Sequence, residues 1–189
     1  MGKPQLPADG SGPLLERDYW AVIEADVGPR ELADRVAADF EAYPPPALVR
    51  FRRREDRPLE EGAEMDVEIF GAGTFGVRVV HRDANSLTLA TLLGHPEAGR
   101  ITFGAYRHRR GGVVFHIRSR ARASSRHRYL GFLVGGDPMQ TTTWSDFIDR
   151  LAAALGGTVR GAIHVEKRRV GEERGDRRVD APTFIARGA

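Results

Sequence analysis

Cysteine is absent from this sequence of 189 residues, and that absence removes several chemistries. The chain can form no disulfide, carries no thiolate nucleophile and cannot hold a cysteine-ligated zinc or iron–sulfur centre. Long apolar runs are missing as well, since no stretch approaches the roughly 18 residues of a membrane-spanning helix. No apolar stretch typical of a secretory signal follows the N-terminus. We therefore expect a cytoplasmic domain without a membrane span.

Acidic residues are missing from one long stretch of the chain. Residues 98–136 hold none of the 26 Asp and Glu residues but include nine arginines. These are Arg100, Arg107, Arg109, Arg110, Arg118, Arg120, Arg122, Arg126 and Arg128. Such a block is typical of a site for phosphate, carboxylate or nucleic acid. It is also what an arginine-rich chain places on solvated faces, and both explanations stay open.

Length and composition indicate one domain with an extension at each end. With 41% hydrophobic residues, the chain can bury one solid core. Residues 1–13 contain three Pro and three Gly among small polar residues, so we expect them to be disordered. The domain is predicted over residues 14–157. Residues 158–189 form a predicted C-terminal extension, partly disordered, with one short strand at 158–165.

Alternating and helical patterns divide the predicted domain into elements. Residues 17–25 alternate as a strand, and Gly28-Pro29 begins a helix that the prolines after Tyr43 end. Six alternating segments follow, at residues 47–55, 64–70, 74–82, 85–92, 100–109 and 112–122. The turns between them are too short for crossover helices, so the strands form an antiparallel meander. The last helix begins at Asp137-Pro138 and ends at Gly156-Gly157.

The order strand, helix, six strands, helix predicts an α+β fold, because a long amphipathic helix must bury its apolar stripe against the sheet. This order resembles the helix-grip fold of the START and polyketide-cyclase superfamily. That resemblance implies a curved antiparallel sheet of six to seven strands wrapped around a long C-terminal helix, with a pocket between them.

A second resemblance lies in residues 90–99, which read A-T-L-L-G-H-P-E-A-G. This segment is similar to the G-T-L-x-G-H-P-E-x-G motif of domain-of-unknown-function family nineteen-ninety. It departs from that motif at Ala90 and Leu93, where the motif has Gly and Pro. Residues 115–120, which read F-H-I-R-S-R, resemble a later strand of the same family. The family carries no assigned activity, so this resemblance implies a fold and no reaction.

Two short motifs have both a structural and a chemical interpretation. Residues 71–76 match G-x-G-x-x-G, but a strand pattern follows them where a dinucleotide site requires a helix, so we interpret them as a hairpin turn. His95-Pro96-Glu97 places an imidazole and a carboxylate in one loop. The pair could act as acid and base, contact a ligand, or only stabilise the hairpin. No metal and no cofactor are predicted.

Some polar residues lie at the same alternate positions of a strand as its apolar residues, so they are further candidates for the inner face. Arg53, His81, Thr91 and Ser119 have this parity, and buried polar groups require partners. We expect Arg53 and His81 to lie at strand ends, near water. The predicted ligand-contacting residues are His81, Thr91, His95, Glu97, Phe103, Phe115, Ser119 and Trp144.

Three functions compete at this point. The leading hypothesis is a domain that encloses a hydrophobic or amphipathic small molecule. The second is an enzyme of the cyclase, hydrolase or dehydratase type that uses His95 and Glu97, or His81. The third is a binder of polyanions through the arginines of residues 100–128. The lack of aromatic residues between those arginines argues against nucleic acid. Exposed edges of the predicted sheet could pair with those of a second copy, so a homodimer is a further hypothesis.

Overall fold

A computed structural model describes residues 2–125 and 137–179 and shows one antiparallel sheet of eight strands with two α-helices. The strands are β1 (Ser11–Glu24), β2 (Val49–Arg53), β3 (Glu64–Ile69), β4 (Gly73–Arg82), β5 (Ser86–Thr91), β6 (Glu97–Arg107), β7 (Val113–Ala123) and β8 (Thr158–Val170). The helices are α1 (Pro29–Asp39) and α2 (Asp137–Ala154). The strand order across the sheet is β2-β3-β4-β5-β6-β7-β1-β8.

The predicted α+β fold with one large antiparallel sheet is confirmed, and β2 to β7 form the predicted meander. The predicted number of strands is wrong, because the sheet has eight strands and not six or seven. The last helix is also not C-terminal, since β8 follows it and pairs with β1 from Glu24–Thr158 to Leu14–Val170. Most side chains of β8 are exposed. Backbone hydrogen bonds to β1, and not buried side chains, hold β8 in the sheet. Its sequence therefore lacks the apolar alternation from which the full length of the strand could be predicted.

The N-terminal segment lies against the sheet, in contrast to the disorder that its composition indicates. The Gln5 N–H donates to the Thr91 carbonyl at 2.7 Å, and the Leu93 N–H donates to the Lys3 carbonyl at 2.8 Å. The Gln5 side chain also donates to the carbonyl of Glu97. Backbone hydrogen bonds, which composition does not report, hold this segment in place.

Arg126, Arg128 and residues 180–189 lie outside the described residues.

An aromatic cluster joins α2 to the inner face of the sheet. Phe147 of α2 lies at its centre and is fully buried. Its ring centroid lies 5.3 to 6.0 Å from those of Phe40, Tyr43, Phe103, Phe115 and Trp144. Such ring pairs add to the free energy of burial. This cluster positions α2 over the sheet. In the described part of the chain, neither helix has the length and apolar character needed to cross a membrane.

Ion pairs cover the outer face of the sheet between β6 and β8. Arg120 of β7 pairs with Glu16 of β1 and donates to both carboxylate oxygens of Asp176, at 3.0 and 2.7 Å. Arg100 of β6 pairs with the same Asp176, whose side chain is 1% exposed. Arg118, also of β7, pairs with Asp18 of β1. The C-terminal segment after β8 is thus held against the sheet by a buried carboxylate.

The pKa of Asp176 follows from these contacts. Burial by itself raises the pKa of this carboxyl, but hydrogen bonds from Arg120 and from the Glu173 N–H outweigh burial and lower it below its ordinary value. The pKa values of Glu16 and Asp18 are lowered against burial in the same way, by hydrogen bonds from their arginine partners and, for Asp18, from His116. The stabilisation from these carboxylates is therefore present above their unfolded pKa values, near 4, and is lost as pH falls through their lower folded values.

We expect Phe147→Ala to lower the free energy of unfolding by about 3–5 kcal/mol, because it opens a cavity among five rings. Urea denaturation measures the change. Phe70→Ala is the matched control, since Phe70 is 78% exposed and its truncation should leave stability almost unchanged. Equal losses in the two variants would contradict the assignment of Phe147 to the core.

We expect Asp176→Asn to lower the free energy of unfolding by about 3–5 kcal/mol at pH 7, because it leaves Arg100 and Arg120 with less compensating charge. The gap between wild type and variant should shrink as pH falls from about 5 towards 2, as Asp176 itself becomes protonated in the wild type. Urea denaturation across this pH range measures the gap. Asp149→Asn, on the exposed face of α2, is the control. A gap that stays constant with pH would contradict the assignment.

Candidate functional site

A cavity of about 660 Å³ lies between the inner face of the sheet and the first turns of α2. Its apolar walls come mainly from strands β2 to β5. They are Val49, Phe51, Val67, Ile69, Phe75, Val77, Leu89 and Ile101. Met139 and Trp144 of α2 close the opposite side. The cavity exists because α1 and α2 cover only part of the inner face.

One wall of this cavity is polar and centres on Glu97, the first residue of β6. The Glu97 carboxylate lies 3.5 Å from a guanidinium nitrogen of Arg17, whose side chain is 1% exposed. Its other oxygen accepts a hydrogen bond from the Gln140 side chain at 2.7 Å. Glu97 itself is 14% exposed. A buried cation of this kind is tolerated because a carboxylate compensates its charge.

The loop that precedes Glu97 is held by its own polar side chains. The His95 ring nitrogen Nδ1 lies 3.0 Å from the backbone nitrogen of Glu97, and the ring packs edge-on against Phe75. Thr91 accepts a hydrogen bond from the Gly99 N–H at 3.1 Å. A Cβ at residue 99 would overlap the carbonyl oxygen of Arg120, so only glycine allows this approach of β6 to β7. These contacts account for the H-P-E-x-G segment as a rigid hairpin that presents Glu97.

Ser119 of β7 lies on the cavity wall, directly opposite Arg17 in the strand register. The residue is 6% exposed, and its hydroxyl has no hydrogen-bond partner within residues 2–125 and 137–179. A buried hydroxyl without a partner is unfavourable for folding. The stability of the fold therefore does not depend on the Ser119 hydroxyl.

The structure brings five of the predicted site residues together on the cavity: Thr91, His95, Glu97, Ser119 and Trp144. The other three lie elsewhere. Phe103 and Phe115 belong to the aromatic cluster beneath Phe147. His81 lies near the end of β4, with its ring 3.3 Å from Asp83. Strand parity assigns all three to the inner face but does not show how far along the sheet the cavity extends.

Arg53, also predicted to face inward, has a structural contact. Its guanidinium donates to the carbonyls of Ala37 and Ala38 at the end of α1, and it pairs with Glu41. The glycines of residues 71–76 belong to the β3–β4 hairpin and its following strand, with Gly71 and Gly73 at positive φ. No helix begins there, in agreement with the predicted hairpin turn, whereas a dinucleotide site of this motif requires a helix.

Sequence reasoning missed Gln140 as part of the polar wall and Arg17 as the ion-pair partner of Glu97. Arg17 shares its parity with the buried Tyr19, Ala21 and Ile23, and an arginine in that register was the available signal. Gln140 has no comparable signal, because its position near the start of α2 is typical of a helix cap. The apolar wall from β2 and β3 was also missed, since their alternation predicts burial but not what covers them.

Comparisons with known proteins agree with this architecture. The sequence model of the family described as "Domain of unknown function (DUF1990)" matches residues 20–150. No curated protein matches the chain.

Solved structures also resemble the chain. Protein CV1439 from Chromobacterium violaceum has a TM-score of 0.52 at 14% identity, over 74% of this chain and 96% of that protein. The di-domain ARO/CYC StfQ of the steffimycin biosynthetic pathway has a TM-score of 0.53 at 15% identity, over 79% of this chain and 51% of StfQ. At these identities the likeness concerns the fold alone, and it supports the helix-grip architecture predicted from the sequence.

We expect Ser119→Ala to leave the free energy of unfolding unchanged or to raise it by up to about 1 kcal/mol, because it removes a buried hydroxyl that lacks a partner. Ser86→Ala is the matched control, since Ser86 is also buried but its side chain donates to Asp83. That variant should lose about 1 kcal/mol. Thermal or urea denaturation compares the two. A loss at Ser119 as large as at Ser86 would show that its hydroxyl is needed by the fold.

Proposed function

The chain belongs to the family described as domain of unknown function DUF1990, and from that premise we propose that it binds a hydrophobic or amphipathic small molecule in the cavity beneath α2. The observation that carries the proposal is the cavity itself. A volume of about 660 Å³ lies within the range of about 300–1,000 Å³ typical of small-molecule sites.

The distribution of polar groups supports the same function. Binding sites for small molecules are mostly apolar and carry a few polar groups that set the orientation of the ligand. Here strands β2 to β5 supply most of the apolar walls, while Glu97, Gln140 and Ser119 are among the few polar residues of the lining. A molecule with an apolar body and one polar end matches this division.

The geometry favours binding over acid–base catalysis by the loop that contains His95. The His95 ring contacts the backbone of Glu97, and the Glu97 carboxylate faces Arg17 and Gln140. Both groups therefore have structural contacts that do not require a reaction. An enzyme of the cyclase or hydrolase type stays the second hypothesis.

The third hypothesis, a polyanion site on the arginine block, has less support on the described surface. Arg100, Arg118, Arg120 and Arg122 pair with carboxylates of β1 or of the segment after β8. Paired arginines attract phosphates less than free ones do. A homodimer through the sheet edges β2 or β8 also stays a prediction.

Native mass spectrometry of the gently purified protein tests the leading proposal. We expect a mass above that of the chain, and solvent extraction should release the bound molecule for identification. A fluorescence titration with pyrene, a neutral apolar probe, tests the same cavity without knowledge of the natural ligand. Absence of both a bound molecule and pyrene binding would contradict the proposal.

A pair of substitutions locates the binding. Val77→Phe adds a ring to the cavity wall, so we expect the affinity for pyrene to fall at least about tenfold, and any co-purified molecule to be lost. Val80→Phe is the matched control, because Val80 is similarly buried on the same strand but does not line the cavity. It should bind pyrene like the wild type. Equal affinities for all three proteins would place the probe elsewhere.

A further inference from the structure

The charge on the cavity wall limits the chemical class of the ligand. Among the described residues that line the cavity, Glu97 and Arg100 are the members of the Asp, Glu, Lys and Arg types. The guanidinium of Arg100 points to the outer face, where it donates to the carbonyl of Arg178 at 2.7 Å and pairs with Asp176. On the described lining, the Glu97 carboxylate is therefore the group of these two that faces the cavity.

The counter-ion of this carboxylate lies behind it. Arg17 pairs with Glu97 at 3.5 Å but does not itself line the cavity. A ligand on the described lining thus meets the Glu97 carboxylate before the Arg17 guanidinium. A carboxylate on the ligand would be repelled by Glu97 and would lose part of its hydration on entering an apolar cavity. An amine would meet Glu97 but would bring a second cation close to Arg17.

Hydrogen-bond donors without charge avoid both penalties. A hydroxyl donates to a carboxylate in a charge-assisted hydrogen bond, which is stronger than one between neutral groups. It also loses less hydration than an ion when it enters an apolar cavity. We infer that the ligand of this cavity is an uncharged, mainly apolar molecule that carries a hydroxyl, and that this hydroxyl donates to Glu97. The inference rests on the proposed function.

Three probes with one ring system test this inference at pH 7: pyrene, 1-pyrenemethanol and 1-pyrenecarboxylate. We expect the alcohol to bind the wild type about tenfold more tightly than pyrene, since a hydrogen bond to a charged group contributes a factor of roughly this size. The carboxylate should bind more weakly than the alcohol by at least about tenfold. Fluorescence titration gives all three dissociation constants on one protein.

Glu97→Gln should change the order in which the three probes bind. A purely structural role of Glu97 would not produce such a change. The substitution keeps the shape of the side chain and removes one negative charge 3.5 Å from Arg17. The local potential becomes more positive, so we expect the affinity for 1-pyrenecarboxylate to rise about tenfold or more relative to the alcohol. Glu68→Gln, on an exposed position of β3, is the matched control and should keep the wild-type order.

The outcomes separate this inference from the proposed function. If pyrene binds but the alcohol has no advantage, or the carboxylate binds most tightly to the wild type, the assignment of a neutral hydroxyl ligand is overturned and the binding cavity stands. If none of the three probes binds, both proposals are overturned. Should Glu97→Gln fail to fold, the order of the three probes on the wild type still decides.

Discussion

The structure depends on how much apolar surface an eight-stranded sheet exposes on its inner face. That face carries apolar side chains from β1 to β7, and the two helices pack against only part of it. Phe147 ties α2 to the rings of Phe103 and Phe115, which draws the helix to one region of the sheet. The remaining apolar surface, from β2 to β5, lines a cavity. The position of one aromatic cluster thus determines where that cavity lies.

Strand β1 connects the two faces of the sheet through three consecutive buried charges. Glu16 and Asp18 point to the outer face, where they pair with Arg120 and Arg118 of β7. Arg17, between them, points to the inner face and pairs with Glu97. Charges buried on both faces favour this register of β1, because a shift by one residue would move each charged side chain to the opposite face, away from its partner. The same contacts explain why the arginine block of β7 needs no external anion.

The chemistry of the cavity follows from side chains and not from the fold that it shares. CV1439 and StfQ resemble this chain at 14–15% identity, a likeness of fold that does not determine which side chains line a site. In this chain the polar wall is an ion pair with its carboxylate towards the cavity and its guanidinium behind it. That order, rather than the presence of two charges, sets the preference for an uncharged hydrogen-bond donor.

The sequence alone determined the class of fold and the inward face of strands β2 to β7, because alternation reports which side chains turn away from water. Alternation therefore assigned Thr91 and Ser119 to the inner face, whereas Glu97, predicted to lie in a loop, is the first residue of β6. Only the tertiary structure separated Ser119, on the cavity, from Phe115, in the core, since parity carries no information on what packs above a strand. It also decided the pairing of Arg120 with Asp176, 56 residues away, because an ion pair leaves no periodic signal in either segment.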